Sequence, residues 1–190
     1  VYFTTDGGQI EGSAKTDQQG RATVELISNN PKPEHESLGK GYATIQAKTV
    51  DENDNEITTT TTVLFSGVPR IHSVSPTSFS IPNGGNQQFT YSVSDQNGNP
   101  LAPGTNITVN AEGEGISVIG DVDVTLADAM QSGSGTTDFS FNVSDAEGDT
   151  VATRAVQITI ITEGPNGKAQ YTITGSHEKQ SAQKGRARKE

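Results

Sequence analysis

The sequence predicts an all-β chain of two antiparallel β-sandwiches in tandem, the first of them short of its N-terminal strands. Apolar residues alternate with Thr, Ser and charged residues in many short runs, which is the period of half-buried strands. Asp, Asn and Gly turn signals divide these runs at intervals of about 8–12 residues. The best helical stretch, LADAMQ at 126–131, is too short to form a helix without tertiary support.

The opening residues, VYFTTDGGQI, begin within a strand, and three of the later strands expected before Pro69 show clear alternation. RATVELIS (21–28) places Ala22, Val24 and Leu26 on one face. The other two strands follow the same alternation: YATIQAKT turns Ala43, Ile45 and Ala47 inward, and EITTTTTVLF aligns Ile57, Val63 and Phe65. The run of five Thr is interpreted as a strand because Thr is β-branched and lies in phase with these apolar residues.

A domain boundary is predicted at Val68-Pro69-Arg70, because Pro69 has no amide hydrogen for a sheet. The predicted domains are residues 1–68 and 69–175, followed by a basic disordered tail at 176–190. About five strands precede Pro69 and about seven or eight follow it, whereas a sandwich of this kind needs about seven. The first domain is therefore expected to lack about two strands.

Two strands of the second domain share one pattern, in which an alternating apolar run ends in an Asp/Gly turn. FTYSVSD turns Phe89, Tyr91 and Val93 inward, and FSFNVSD does the same with Phe139, Phe141 and Val143; both run into Asp/Gly turns. In VATRAVQITIIT the apolar phase changes after Ala155, which predicts a β-bulge near that residue. The last strand is predicted in AQYTITG, with Tyr171 and Ile173 inward.

Composition excludes several classes of function. The chain has 190 residues with 30% hydrophobic content, no Trp and no Cys, so neither a disulfide scaffold nor a thiolate metal site is present. The net charge of −10 disfavours binding to nucleic acid or to an anionic membrane, and no apolar run is long enough for membrane insertion. Residues 176–190 are the exception, with five Lys or Arg and two Asp or Glu.

The first segment resembles the bacterial immunoglobulin-like (Ig-like) domains of the invasin and intimin kind. The resemblance lies in FTTDGGQIEGSAKTDQQGRATVEL, GYATIQAKT and VLFSG, in which the matching positions are Thr16, Asp17, Gly20, Ala22, Val24, Leu26, Gly41, Ala43, Ile45 and Ala47. It covers residues 1–67; residues 70–175 resemble bacterial Ig-like domains more generically, best over 73–101. The resemblance implies an Ig-like fold for both domains, an extracellular or bacterial cell-surface location, and a structural or adhesive role.

Members of this family begin with two strands before the position of Val1. Three accounts of these missing strands stay open: the chain is a piece of a longer tandem array, a processed protein whose first strands stay bound, or a subunit that receives strands from a neighbour. In each account an uncovered sheet edge is expected to bind a protein partner or further copies of the chain itself.

Three loops place oxygen-bearing side chains at their first, third and fifth positions, as calcium loops do: DENDN (51–55), DQNGN (95–99) and DAEGD (145–149), with DVD (121–123) as a further source of ligands. None of them completes an EF-hand pattern, and the same residues suit tight turns. The calcium candidates are Asp51, Asn53, Asp54 and Asn55, and apart from calcium no cofactor is expected.

No catalytic pattern is present, and the chain is not expected to be an enzyme. His35 lies in a loop between two Glu, His72 at the start of the second domain and His177 in the predicted tail, so no pair has metal-ligand spacing. SGSG (132–135) lacks the spacing of a nucleophile elbow, and GPNGKA (164–169) lacks that of a phosphate-binding loop.

Three functions follow as hypotheses. The first is a non-enzymatic extracytoplasmic structural or adhesion module: a stalk, an adhesin segment, or a subunit of an extracellular assembly joined by strand donation. The alternative is a calcium-dependent ligand- or carbohydrate-binding module of a larger secreted protein, for which Tyr2 and Tyr42 are the aromatic candidates because they fall out of the inward phase. A weaker third reading is an accessory domain of an extracellular enzyme.

Overall fold

The computed structural model describes residues 1–148 and 151–180, and in that part of the chain it contains strands, turns and loops but no helix. The all-β prediction is confirmed. No helix that has the length and apolar character to cross a membrane occurs among these residues. The chain divides into two compact units, Val1–Gly67 and a second that begins at Val68.

The first unit is built around one three-stranded antiparallel sheet of order β1-β6-β7, accompanied by the two-stranded ribbons β2-β3 and β4-β5. Its strands are β1 Tyr2–Thr5, β2 Gln9–Ile10, β3 Leu26–Ile27, β4 Glu34–His35, β5 Gly39–Lys40, β6 Tyr42–Val50 and β7 Glu56–Leu64. The β6–β7 hairpin keeps one register over nine residue pairs. Tyr42 and Ala43 are the two hydrophobic side chains of this unit that are buried.

Two glycines of the first unit lie where other segments of the chain pass very close to the backbone. Gly8 has φ of 74°, and a Cβ placed there would lie 2.5 Å from the carbonyl oxygen of Ile27 and 2.9 Å from the ring of Phe65. Gly7 lies against Pro33, so a Cβ there would clash with the proline ring. Glycine is needed at both positions because the backbone passes where any side chain would stand.

The second unit is a β-sandwich of two facing sheets. Its strands are β8 Pro69–Ser75, β9 Ser78–Ile81, β10 Asn86–Asp95, β11 Asn106–Glu112, β12 Ile116–Gly120, β13 Asp123–Thr125, β14 Asp138–Asp145, β15 Arg154–Gly164 and β16 Gly167–His177. One sheet has the order β12-β14-β10-β8 and the other β13-β11-β15-β16-β9. All pairs are antiparallel except β9–β16, which is parallel and departs from the prediction of purely antiparallel sheets.

The core of the second unit lies between its sheets, where the predicted inward residues meet. Phe89 and Phe141 are opposite one another on β10 and β14, with ring centroids 4.9 Å apart, and Tyr91 stands opposite Phe139. All four side chains are at most 5% exposed. The two similar stretches of sequence are thus neighbouring strands, each turned inward on alternate residues and each ended by an Asp turn.

Several predicted strand details are wrong. In RATVELIS the alternation of burial holds, but only Leu26–Ile27 forms a strand. Ile57 was expected inward and is 53% exposed, because no layer covers that end of β7. No bulge occurs near Ala155: β15 keeps a continuous register with β16 from Arg154 onward, and the earlier residues of opposite phase lie outside the strand.

The irregularity in the second unit lies instead in β8. Thr90 pairs with Ser75 but Ser92 pairs with His72, so one extra residue is accommodated opposite Tyr91. Ser73 has φ of 51° at this point. A bulge at this position was not predicted because serine carries no sequence signal for positive φ.

The end of the second unit also differs from the prediction. The last strand continues to His177, two residues past the expected boundary at 175, and Glu178 N–H still donates to the carbonyl of Ile81 at 2.9 Å. Residues 181–190, most of the predicted tail, lie outside the described residues.

Candidate functional site

The predicted calcium loop, residues 51–55, is the turn of the β6–β7 hairpin. The carboxylate Oδ1 of Asp51 accepts hydrogen bonds from the backbone N–H groups of Asn53 (2.8 Å) and Asn55 (2.9 Å). Its Oδ2 accepts from the side-chain amide of Asn55 at 3.0 Å. These hydrogen bonds, the Asn55 side chain first, lower the pKa of Asp51 below its usual value. Asp54 has φ of 62°, a conformation that Asp tolerates in turns.

Asp carboxylates accept backbone N–H groups of their own turn at other places in the chain as well. Asp17 accepts from the N–H groups of Gln19 and Arg21, both at 2.9 Å, and Asp95 accepts from Asn97 at 2.7 Å and Asn99 at 2.9 Å. A carboxylate that caps its own turn in this way replaces the hydrogen bonds that the backbone cannot make there. The repeated Asp-x-Asn/Gly pattern is therefore accounted for by turn formation.

The described residues contain no group of three or more His, Asp or Glu side chains that is suited to a metal ion. In the 51–55 loop the Asp51 oxygens already accept three hydrogen bonds, while Asn53 and Asp54 are exposed. Calcium binding by Asp51, Asn53, Asp54 and Asn55 stays a prediction that only a binding measurement decides. Asp149, in the 145–149 loop, lies outside the described residues.

His177 is the largest departure from the sequence prediction. It was assigned to the tail, but its side chain is fully buried at the end of β16, with Nε2 3.2 Å from Asp145 Oδ1 and Nδ1 3.3 Å from the carbonyl oxygen of Glu114. The Asp145 carboxylate also accepts from the N–H groups of Gly84 (2.6 Å) and Gly148 (3.0 Å). These contacts, the Gly148 and Gly84 bonds first, hold the pKa of Asp145 far below its usual value.

The other two histidines also have structural partners. His35 Nδ1 lies 3.2 Å from the N–H groups of both Ser37 and Leu38, so it caps a turn. His72 Nε2 lies 2.9 Å from the hydroxyl of Ser94, which resembles a nucleophile–base contact, but Ser94 is 3% exposed and its hydroxyl donates to the carbonyl of Asp95. A buried hydroxyl held in this way is not placed to attack a substrate.

A groove of about 370 Å³ on the second unit is rich in hydroxyl groups. Besides Tyr91 and Phe139, its lining consists of Ser73, Thr90, Ser92, Asp121, Ser134, Asp138 and Ser140. Ser92 donates to Asp138 at 2.7 Å, and Asp121 accepts the Ser140 N–H at 2.8 Å. Since the two aromatic rings are buried in the core, the groove offers no exposed ring face for stacking on a sugar.

The two aromatic candidates for carbohydrate binding differ in exposure. Tyr2 is 66% exposed, as its phase predicts. Tyr42 was expected to face outward and is only 6% exposed. The phase rule does not hold for Tyr42 because it follows Gly41, whose φ of 97° breaks the strand geometry at that point. Carbohydrate binding through Tyr2 stays a prediction.

The most distinctive surface of the described residues is the outer edge of β7. Asp51 N–H donates to Asn55 O at one end of the hairpin, and Phe65 N–H donates to Gly41 O at the other. Hydrogen-bonded pairs alternate along antiparallel strands, so the odd-numbered residues of β7 bond to β6. The N–H and C=O groups of Thr58, Thr60 and Thr62 therefore point away from the sheet, toward an edge that no described strand occupies.

Both faces of β7 are also uncovered over most of its length. The side chains from Glu56 through Thr61 are exposed, on the inner as well as the outer face. At the hairpin end Glu56 forms an ion pair with Lys48. The opposite edge of this sheet is not open in this way, because Phe3 N–H donates to Gly12 O and Ala14 N–H donates to Val1 O, both at 3.0 Å.

Several solved structures resemble this chain at low sequence identity. Domains 1–6 of the surface layer protein SbsC align with 95% of the chain at 18% identity and a TM-score of 0.41, and the chain spans 20% of that structure. The D00–D0 domain of intimin aligns with 92% of the chain at 14% identity, with a TM-score of 0.31 and 84% of its own length covered. Cadherin-like domains 1 to 4 of zebrafish RET align with 93% at 12% identity and a TM-score of 0.31, with 41% of that chain covered.

The presence of an intimin domain among these structures agrees with the resemblance of residues 1–67 to the invasin and intimin kind. With TM-scores below 0.5, the likenesses carry no argument about activity or partners. A scan against protein-family models and a search of curated proteins both find no match.

Proposed function

We propose that this chain is a non-enzymatic structural module of an extracellular or cell-surface assembly, such as a stalk or adhesin segment, in which the open edge of β7 receives a strand from a neighbouring segment of polypeptide. The observation that carries the proposal is the unprotected edge of β7. It offers outward N–H and C=O groups on three successive even-numbered residues, Thr58, Thr60 and Thr62. Such groups bind an added strand by main-chain hydrogen bonds.

The other outer strands of the described sheets carry features that discourage strand addition, and β7 does not. β13 and β9 have three and four residues, β12 has five and ends at Gly120, and β8 is interrupted by its bulge at Ser73. β7 has nine residues in one continuous register, with no Pro. Natural proteins shorten, charge or bend edge strands that must stay free, so an edge without these devices is suited to pairing.

The second unit contributes a complete β-sandwich to the proposed module. Its core draws on both sheets, and fifteen hydrophobic residues form one buried cluster. The extracellular location is part of the proposal and is supported by the resemblance of the first segment to invasin and intimin domains. The absence of cysteine is compatible with an oxidising compartment.

Amide hydrogen exchange tests whether the edge accepts a strand. At a dilution where the protein sediments as a monomer, the N–H groups of Thr58, Thr60 and Thr62 are expected to exchange fast, and those of Thr59 and Thr61 slowly. Adding a peptide with the sequence of residues 56–64 is expected to slow the even-numbered amides of β7, Thr58, Thr60 and Thr62 among them, and to leave the odd-numbered amides unchanged, because only the even-numbered ones face the added strand.

The matched control is Thr60→Pro, which removes one outward N–H and leaves the hydrogen bonds to β6 in place. This variant is expected to bind the peptide more weakly while keeping the slow exchange of Thr59 and Thr61. If no concentration of peptide slows the even-numbered amides of the unsubstituted protein, the edge does not accept a strand and the proposal is wrong.

A further inference from the structure

The sequence of β7 is nearly the same in both directions along the strand. This symmetry indicates which strand can pair with it. Residues 58–62 are five consecutive Thr, flanked by Ile57 on one side and Val63 on the other. A strand of this kind is self-complementary: an antiparallel copy centred on Thr60 places Thr58 opposite Thr62 and Ile57 opposite Val63. All nine residues of β7 are paired in this register.

The backbone geometry fits the same arrangement. The even-numbered residues have their N–H and C=O groups at the open edge, so Thr60 and its copy exchange both hydrogen bonds across a two-fold axis. Thr58 and Thr62 form the flanking hydrogen-bonded pairs. The interface is isologous, since the same surface serves both molecules, which is the usual geometry of a homodimer.

The charges of the chain favour this strand as the place where two copies meet. The chain carries a net charge of −10, so two copies repel one another over most of their surfaces. Residues 57–64 contain no charged side chain. Glu56, at the end of β7, forms an ion pair with Lys48 and lies opposite Leu64 of the copy rather than opposite the other Glu56. No like charges therefore face each other along the paired strands.

We infer that the strand received by the β7 edge is β7 of a second copy of this chain, paired antiparallel about Thr60 to give a continuous six-stranded sheet. The inference rests on the proposed function, since it names the partner of the same edge. A second copy is favoured over a partner of unrelated sequence because the Thr run is matched on both halves of the two-fold axis.

Single cysteines test the register, because the chain contains no cysteine of its own. In the centred register the Cα atoms of Thr60 and its copy are about 5.5 Å apart, within the range of a disulfide. Thr62 and its copy are four residues out of alignment, about 13 Å apart. Under mild oxidation Thr60→Cys is expected to form covalent dimers, and Thr62→Cys, the matched control, is expected not to.

Sedimentation velocity tests the association without cross-linking. The unsubstituted protein is expected to form dimers with rising concentration, and added salt is expected to strengthen them by screening the net charge. Thr60→Lys places two like charges opposite each other at the axis and is expected to stay monomeric. Thr4→Lys, on an exposed position of β1 in the same sheet, is the charge-matched control and is expected to dimerise.

Three results would overturn the inference: a monomer at every concentration and salt level, dimers that persist in Thr60→Lys, or equal cross-linking of the two cysteine variants. A chain that stays monomeric while the peptide still slows the exchange of Thr58, Thr60 and Thr62 refutes pairing with a second copy and leaves the strand-accepting edge intact. Loss of both effects refutes the proposed function as well.

Discussion

At the scale of single residues, the carboxylate of Asp145 connects three separate segments of the second unit. It accepts N–H groups from Gly84 and Gly148 and lies 3.2 Å from Nε2 of His177, with neither the carboxylate nor the imidazole exposed to solvent. The loop between β9 and β10, the turn after β14 and the end of β16 thus meet at one charge. Replacing the carboxylate by an amide removes one of its two acceptor oxygens, so at least one of these donors loses its acceptor.

We expect acid to destabilise the second unit through Asp145. Its pKa in the folded protein lies well below the ordinary value of an Asp carboxyl group, chiefly because of the hydrogen bonds from Gly148 and Gly84. A lowered folded pKa adds stability above the unfolded pKa, and this stability is lost as the pH falls through the folded value. The unfolding temperature of the unsubstituted protein should therefore fall steeply below about pH 4.

Asp145→Asn should unfold at a lower temperature at neutral pH and show a shallower fall in acid. The exposed carboxylate of Asp128 provides the control variant, Asp128→Asn, which should follow the unsubstituted protein. Thermal melts followed by circular dichroism between pH 7 and pH 2 measure the difference. Parallel curves for the two variants would show that Asp145 does not carry the acid sensitivity.

Residue patterns in the sequence predicted the core of the second unit but not this buried pair. Phe89, Tyr91, Phe139 and Phe141 alternate in regular strands that are covered on one face, so their parity predicted their burial. His177 lies two residues after Gly175, where the predicted last strand ends, and nothing local distinguishes it from a tail residue. Its partner is 32 positions away, so only the fold brings the two together.

At the scale of elements, the β6–β7 hairpin depends on the turn that Asp51 caps. An Asn at position 51 keeps a side-chain oxygen for the N–H groups of Asn53 and Asn55, whereas Ala does not. We therefore expect Asp51→Asn to keep most of the thermal stability of the first unit and Asp51→Ala to lower it. Thermal melts of both variants measure this difference.

The same variants separate turn formation from calcium binding. A calcium site needs the charge of Asp51, so calcium that binds there would raise the unfolding temperature of the unsubstituted protein and not that of Asp51→Asn. Because hydrogen bonds already occupy the carboxylate, we expect millimolar calcium to leave both proteins unchanged. A calcium-dependent rise confined to the unsubstituted protein would instead support the metal site.

Elements were predictable where a strand is long and its ends are marked by turn residues. The β6–β7 hairpin and the separate strands β10 and β14 follow directly from alternation and turn residues, whereas the pairing of β10 with β14 does not. RATVELIS shows the same alternation but has a partner strand only at Leu26 and Ile27, so most of it is extended chain without a ladder. Alternation predicts which side chains of an extended segment are buried. Whether the segment forms a strand depends on a partner strand, and the local sequence does not specify that partner.

At the scale of the whole molecule, the two units differ in how much apolar surface they bury. Fifteen buried hydrophobic residues form the core cluster of the second unit, while Tyr42 and Ala43 are the buried ones in the first. Since burial of apolar surface is the main favourable term in folding, we expect the first unit to unfold at the lower temperature. Calorimetry should show two transitions for the monomeric protein.

Two substitutions assign the transitions. Phe89→Ala removes a ring that is fully buried between Phe79 and Phe141, so it should lower the stability of the second unit by about 3–5 kcal/mol. Ile57→Ala removes a side chain that is 53% exposed and should change the stability of the first unit by only about 0.5 kcal/mol. A single transition that falls in Phe89→Ala and is unchanged in Ile57→Ala would show that the two units unfold together.

The parallel pairing of β9 with β16 has a mechanical consequence. Ser78–Ile81 lies near the beginning of the second unit and Gly167–His177 at its end, and the two strands run in the same direction. Tension between the two ends of the unit would pull these strands past each other lengthwise. The hydrogen bonds between the two strands lie across the direction of this force, so all of them must break at about the same time. In a hairpin pulled apart from one end, the hydrogen bonds break one after another. We therefore expect the second unit to resist extension when it is pulled between β9 and β16.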